Sequence, residues 1–297
     1  MPAVDRKSLR VAITGAGGIL GTALKEILPK GPVSIEAVGL TRAELDVTRP
    51  GDVQERLAEI HPDAVIHTAA YTKVDACEED PDLAREVNVA GTAHLARTCS
   101  ELNCRLIYLG TDYVFDGKSG RPYCEDDPVS PLGVYGRTKW EGEVAVREEG
   151  PEDSLVVRTS WVYGPGGRNF VDAVLEKGAL GESLRVVNDQ RGSPTYSQDL
   201  AEALKALLLT EVRGTVHVSG GGECTWYEFA RETLSAAGQA PDLVEPISSR
   251  SLGRPAPRPA YSVLDGAAYQ DWTGRAMRPW AEALRDYLAL RGALLDR

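Results

Sequence analysis

The chain is 297 residues long, 42% apolar and 26% charged, with 44 acidic side chains against 33 Lys and Arg for a formal net charge of −11. That length and composition bury a sizeable core and exclude a disordered chain. The acidic balance argues against a phosphate-backbone binder, which needs clustered Lys and Arg, while an anionic small molecule requires only a local basic pocket.

Short β-branched runs alternate with longer helical patterns, the signature of βαβ units around a parallel sheet. The first strand, Leu9 to Thr14, runs into Gly15-Ala-Gly-Gly18-Ile19-Leu20-Gly21 and then a helix to Leu28. Gly15 suits a sharp turn, Gly18 lets backbone amides approach a pyrophosphate at the helix N-terminus, and Gly21 lets the helix pack closely on the sheet. A ligand-free structural turn is the alternative. Leu20 stands where a G-x-G-x-x-G motif has its last glycine, which points to the short-chain dehydrogenase variety of the dinucleotide fold. The second strand, Ile35 to Gly39, ends in Leu40-Thr41-Arg42 with no acid until Glu44. An Arg there accommodates a ribose 2′-phosphate where an acid would bind the 2′-hydroxyl. This favours NADP(H), unless Arg42 is only a solvated surface charge.

A helix from Asp52 to Ile60, a strand from Ala64 to Thr68 and a long helix from Leu83 to Leu102 follow. The strand from Arg105 to Leu109 leads into Thr111, a hydroxyl at a strand's carboxyl end, where ligand chemistry gathers in open α/β sheets; a turn or cap hydroxyl is the alternative. In the next helix, Val134 to Glu148, Tyr135 and Lys139 share a face. An ammonium beside a phenol stabilises the phenolate and moves its pKa from near 10 toward the working range of a proton donor.

Strands at Leu155 to Thr159, Leu184 to Val187 and Thr215 to Val218 alternate with helices at Phe170 to Leu180 and Gln198 to Leu209. Beyond Ser219 come a helix from Trp226 to Ala237, a short strand from Val244 to Ile247, a Pro- and Arg-rich stretch from Arg250 to Pro259, and a last helix from about Pro279 to Leu295. The prolines exclude regular structure from that stretch, and Arg250, Arg254 and Arg258 make it a candidate lid that meets a diphosphate.

The five cysteines (Cys77, Cys99, Cys104, Cys124, Cys224) are odd in number and show no Cys-x-x-Cys spacing, so reduced structural thiols are expected. The four histidines (His61, His67, His94, His217) lack metal-ligand spacing. No apolar run approaches the roughly 20 residues that span a bilayer, and the first residues lack a signal-peptide core. A cytoplasmic protein is expected.

The segments Glu44-Leu-Asp-Val-Thr48, His67-Thr-Ala-Ala-Tyr-Thr-Lys-Val-Asp75, Thr111-Asp-Tyr-Val-Phe-Asp-Gly117, Tyr135-Gly-Arg-Thr-Lys139, Arg158-Thr-Ser-Trp-Val-Tyr-Gly164, Asn188-Asp-Gln-Arg-Gly-Ser-Pro-Thr195 and Arg258-Pro-Ala-Tyr-Ser-Val-Leu-Asp265 together resemble the dTDP-4-dehydrorhamnose reductase family of the extended short-chain dehydrogenase/reductase superfamily. The resemblance implies a Rossmann-type doubly wound parallel sheet with a smaller C-terminal substrate lobe. Residues 1–165 would bind NADP(H), with 184–220 and about 260–275 returning to that part, and 166–183, 221–259 and 276–297 would hold the sugar nucleotide.

It also implies reduction of the C4 ketone of dTDP-4-dehydro-L-rhamnose by NADPH or NADH. Tyr135 would protonate the alkoxide, Lys139 would lower its pKa and hold the nicotinamide ribose, and Thr111 would bind the C4 oxygen. Ile19, Leu20 and Thr41 join the glycines and Arg42 at the cofactor, Asp46 and Val47 match its adenine side, and Ala69, Ala70 and Tyr71 lie under it. Tyr113, Trp161 and Asn169 match positions near the sugar, with core packing the alternative for Trp161, and Arg254 is the candidate cation for the substrate. Some family members bind magnesium at a dimer interface through an acid that is matched here by Ala23, so no such metal is expected; a homodimer remains possible. An epimerase or dehydratase on the same scaffold, or a non-catalytic nucleotide-binding subunit like that of methionine adenosyltransferase, are the competing readings.

Overall fold

The computed structural model describes residues 8–293; the expected end of the last helix, Leu295, and the outermost residues of the two expected lobes lie outside them. Six apolar runs form one parallel sheet: β1 (Leu9–Thr14), β2 (Ile35–Leu40), β3 (Ala64–His67), β4 (Arg105–Thr111), β5 (Leu155–Thr159) and, further along the chain, a sixth at Gly214–His217. Counting the strand Leu184–Val187 as β6 and Gly214–His217 as β7, the order across the sheet is β7-β5-β4-β3-β1-β2. Because β1 is flanked by β2 on one side and β3 on the other, the connections diverge from it, and such a switch point opens a crevice beyond the carboxyl ends of the strands.

Residues on β1 alternate between two cores. Val11 and Ile13 pack with Leu24 and Ile27 of α1 (Ile19–Ile27) and Leu200 and Leu204 of a later helix, Ser197–Leu208. Ala12 faces the opposite side, with Val53 and Leu57 of α2 (Pro50–Ile60), Leu95, Tyr108 and Val146. Burial on both faces is why these strands read as nearly continuous apolar runs.

The long helix expected from Leu83 is subdivided. After α3 (Val74–Glu79), Asp80 caps α4 (Pro81–Arg85) by accepting from the Leu83 amide, a π turn spans Glu86–Ala90, and α5 (Gly91–Leu102) completes the run. The wide turn brings Asn88 into the interior, where it is 1% exposed.

The strand Leu184–Val187 stands outside the main sheet. It pairs in parallel with β8 (Val244–Ile247), over a small core with Val174 of α7 (Phe170–Ala179) and Ala230 and Leu234 of a helix at Trp226–Ala236. Four-residue apolar runs carry no information on which sheet they join. The Pro- and Arg-rich stretch is irregular after a 3-10 turn at Ser249–Leu252. A helix at Ala267–Thr273, unforeseen because it is short and has no side-chain N-cap, places Tyr269 in the main core, and the last helix is Trp280–Leu290. The five cysteines are free thiols, and four are buried. Among the described residues no helix is long and apolar enough to cross a membrane.

A buried ion pair lies between β5 and α6 (Val134–Glu149). Arg158 donates to Glu143 at 2.9 and 3.0 Å with side chains 2% and 0% exposed. Arg147 adds a second cation at 2.9 Å. His217, held neutral by burial with its pKa lowered to about 3, donates from Nδ1 to the Tyr123 carbonyl and accepts from Arg158 at Nε2. Removing one partner leaves an uncompensated buried charge. Arg158→Met should therefore destabilise the protein by about 3–5 kcal/mol in urea denaturation, and a loss under about 1 kcal/mol would show that Glu143 is satisfied by Arg147 alone.

Candidate functional site

At the switch point the chain has to turn sharply. Gly15 takes φ +69°, and a Cβ there would lie 2.7 Å from the Ala69 amide nitrogen. A Cβ on Gly21 would lie 2.5 Å from the Gly15 carbonyl oxygen, so α1 packs directly onto the turn. Gly18, the N-cap of α1, offers no side-chain cap, and the first turn carries no acid. Its free amides and the positive end of the helix therefore face the crevice, a cradle suited to a pyrophosphate.

The floor is a chain of buried hydrogen bonds. Thr92 donates to the Asn88 carbonyl at 2.7 Å, so its oxygen accepts from His67 Nε2 at 3.2 Å. His67 Nδ1 then accepts from Thr14 at 2.7 Å, which fixes the tautomer. Burial, and then the charge of Lys139, hold that imidazole neutral with a pKa of about 3. The Asn88 side chain accepts from the Tyr71 amide at 2.8 Å and donates to the Tyr71 carbonyl and to Thr138. Thr138 donates to the carbonyl of Tyr135 at 3.1 Å. The loop after β3 and the helix bearing Tyr135 are thus tied through one amide. At the head of α6, the Val134 amide donates to Glu78 of α3 at 2.7 Å.

Lys139 is 3% exposed, and its Nζ lies 4.1 Å from the centre of the Tyr108 ring. Desolvation lowers its pKa to about 7, opposed by the Glu143 carboxylate one turn on. Tyr135 packs edge-on against Tyr113, centroids 5.6 Å apart. The expected lowering of the phenol pKa by Lys139 is not what this structure holds: desolvation raises Tyr135 well above 10, and nearby Asp112 adds to the rise while Thr111 opposes it. The ammonium expected to stabilise a phenolate is itself desolvated. At the end of β4, Thr111 donates to Asp112 at 3.1 Å and accepts from the Tyr113 amide, and Asp112 in turn accepts from Ser262. Asp112 is 2% exposed, and burial pushes its pKa up to about 7.

Thr111, Asp112, Tyr113, Tyr135 and Lys139 share one cleft of about 760 Å³. Gly15, Gly18, Ile19, Leu20, Gly21, Thr41, Arg42, Asp46, Val47, Ala69, Ala70, Tyr71 and Lys139 all line it, as do Thr111, Tyr113, Tyr135 and Trp161. Trp161 adopts φ +48°, an uncommon conformation for a bulky residue. Its ring stacks on Trp226 at 3.7 Å, and Gly192 leaves room for it, since a Cβ there would meet the indole at 2.6 Å. Cleft wall and packing are one role for this indole.

Asn169 and Arg254 do not line the cleft. Asn169 caps α7, accepting from the Asp172 amide while donating to the Gly164 carbonyl and Tyr287. Arg258 is committed to Asp75 through two 2.9 Å bonds, and Arg250 and Arg254 are exposed. The exposed cation that does line the cleft beyond Arg42 is Arg168, on the loop whose Gly166 and Gly167 rest against Thr22 and Ile19. Sequence reading missed Asn88, Asp112, Arg168 and Trp226. Only Asn88 carried a local signal, the helix-weakening run Val87-Asn-Val-Ala-Gly91 inside a helical pattern.

A family model described as RmlD substrate binding domain matches residues 9–291. A dTDP-4-dehydrorhamnose reductase from Streptomyces griseus is 42% identical over 93% of this chain and 92% of its own length. A dTDP-4-keto-6-deoxy-D-glucose reductase from Streptomyces niveus is 38% identical over 96% and 98%. The crystal structure of dTDP-4-dehydrorhamnose reductase from Bacillus anthracis in complex with NADP superposes with a TM-score of 0.91 at 38% identity, covering 96% of this chain and all of that one.

The Asp112 carboxyl supplies a pH test. Its pKa is about 7 when folded and near 3.9 in an unfolded chain, so between those values the native state keeps a proton that the unfolded state has lost. The contribution of this group to stability is present below the unfolded pKa and falls as pH rises through the window, by up to about 1.4 kcal/mol per pH unit. The stability difference between wild type and Asp112→Asn, measured by urea unfolding across that range, should fall with rising pH; a flat difference would mean that Asp112 is ionised when buried.

Proposed function

The chain belongs to the RmlD substrate binding domain family, and from that membership and the cleft we propose that it reduces the C4 ketone of dTDP-4-dehydro-L-rhamnose to dTDP-L-rhamnose with NADPH or NADH. The observation that carries this reading is the convergence of Thr111, Tyr135 and Lys139 on the cleft whose far end is the glycine turn. A non-catalytic nucleotide-binding subunit has no use for all three.

The residues present suit a dinucleotide. The open amides at the start of α1 would hold the pyrophosphate, Asp46, Val47, Thr41 and Arg42 the adenosine end, and Lys139 the nicotinamide ribose. When bound, the reduced nicotinamide supplies the hydride to C4. Thr111, turning its hydroxyl from Asp112 to the ketone oxygen, donates a hydrogen bond there, and Tyr135 delivers the proton as alkoxide character develops. The raised pKa of Tyr135 suits this direction, because the phenol stays protonated at neutral pH until the developing alkoxide, a far stronger base, takes the proton. Lys139, poised near neutrality, becomes a better cation once hydroxyl oxygens replace the water it has lost. The stacked indoles Trp161 and Trp226 form an apolar wall for the deoxysugar. Exposed Arg254, which lies near enough to Asp75 and Tyr113 to bias both, is the proposed contact for the substrate's diphosphate end. This chemistry on an activated sugar belongs in the cytoplasm.

The Streptomyces niveus relative, of nearly equal similarity, makes a neighbouring 4-keto sugar the second reading. Following nicotinamide absorbance with each dTDP-4-keto-6-deoxyhexose decides between them by kcat/KM, and no turnover with any of them would refute the reductase reading.

Tyr135→Phe should lower kcat by about 10²- to 10⁴-fold with cofactor affinity retained; wild-type turnover would remove Tyr135 from the proton-donor role. Arg42→Ala should weaken NADPH more than NADH, by about tenfold, because only NADPH offers a phosphate to the guanidinium. Equal losses in fluorescence titrations would show that Arg42 reads no 2′-phosphate.

A further inference from the structure

The adenosine end of the cleft presents few donors for a ribose 2′ substituent, and those donors already have internal carboxylate partners. Thr41, the first residue past β2, gives both its amide and its hydroxyl to one oxygen of Glu44, each at 2.8 Å. The Glu44 amide returns a bond to the Thr41 carbonyl, closing a tight turn. Arg42 is 80% exposed, and its Nε lies 3.5 Å from Asp46, which is held in place by the amide and hydroxyl of Thr48. From neighbouring elements, Arg56 of α2 and Lys25 of α1 lie near enough to add to the lowering of the Glu44 pKa that the Thr41 bonds cause. A 2′-phosphate would have to displace Glu44 from Thr41 and share Arg42 with Asp46, whereas a 2′-hydroxyl donates to a carboxylate without repulsion.

We infer that Glu44 sets the cofactor specificity of this chain, its carboxylate occupying the Thr41 donors that a 2′-phosphate needs and so keeping NADH competitive with NADPH. The inference rests on the NAD(P)H-dependent reading above and adds that specificity here is a balance: Arg42 favours the phosphate and Glu44 opposes it. Glu44, four residues beyond the end of β2, thus sets a carboxylate on the Thr41 donors, where NAD-binding sites carry their acid at the strand end itself.

Fluorescence titration of NADPH and NADH into wild type, Glu44→Gln and Glu44→Ala tests this without turnover. Gln keeps the size and one acceptor for Thr41 but removes the charge; Ala also frees the donors. The ratio of Kd for NADH to Kd for NADPH should rise by about fivefold in the Gln variant, the scale of one exposed charge interaction, and further in the Ala variant. Both cofactors meet the same folded fraction, so the ratio is insensitive to any loss of stability. A ratio unchanged within about twofold in both variants overturns the role of Glu44 and leaves the cofactor reading standing, whereas failure of wild type to bind either cofactor overturns both.

Discussion

The site depends on the buried amide of Asn88. It satisfies the backbone of Tyr71, under the cofactor cleft, and the hydroxyl of Thr138, which in turn holds the carbonyl of Tyr135. A side-chain amide with all its bonds made inside a low-dielectric interior has one orientation, and loss of any partner leaves an unsatisfied polar group at a cost of about 1–3 kcal/mol. The π turn at Glu86–Ala90 is the local departure from helix that sets Asn88 at that point, in line with the frequent occurrence of such turns at functional sites. Through it the glycine-turn half of the cleft and the Tyr135 half keep one geometry.

Electrostatics are arranged on the same frame. Lys139 lies on the helix whose next turn carries Glu143, and Glu143 is anchored by Arg158 from the sheet. One buried carboxylate therefore serves both the helix–sheet junction and the charge state of the cleft lysine. Asp112 and Ser262 do the corresponding work on the other wall, where the C-terminal segment reaches the main sheet and orients Thr111. Burial raises the pKa of Tyr135 and Asp112 and lowers that of Lys139, so the cleft favours neutral forms before any ligand enters. That suits a reaction in which charge develops only in the transition state and is met by dipoles already in place.

The acidic surface and the anionic ligands are reconciled locally. Two exposed arginines, Arg42 and Arg168, line the cleft together with the glycine turn that opens α1. The arginines of the C-terminal stretch divide their work: Arg258 ties that stretch to Asp75 in the first turn of α3, and Arg250 and Arg254 remain in solvent.

What the sequence determined by itself is whatever is written in short windows: the alternation of strands and helices, the glycine turn, the Tyr135 and Lys139 spacing, the hydroxyl at the end of β4. Each follows from backbone sterics or from a period of two or 3.6 residues, and those residues do line one cleft. The tertiary structure alone decided that Leu184–Val187 pairs with Val244–Ile247, that Asn169 is a helix cap, that Arg258 is an anchor, and that Lys139 and Asp112 titrate near neutrality. The reason is physical: burial, ion-pair choice and pKa are sums over neighbours brought together from distant parts of the chain, and no local pattern encodes them.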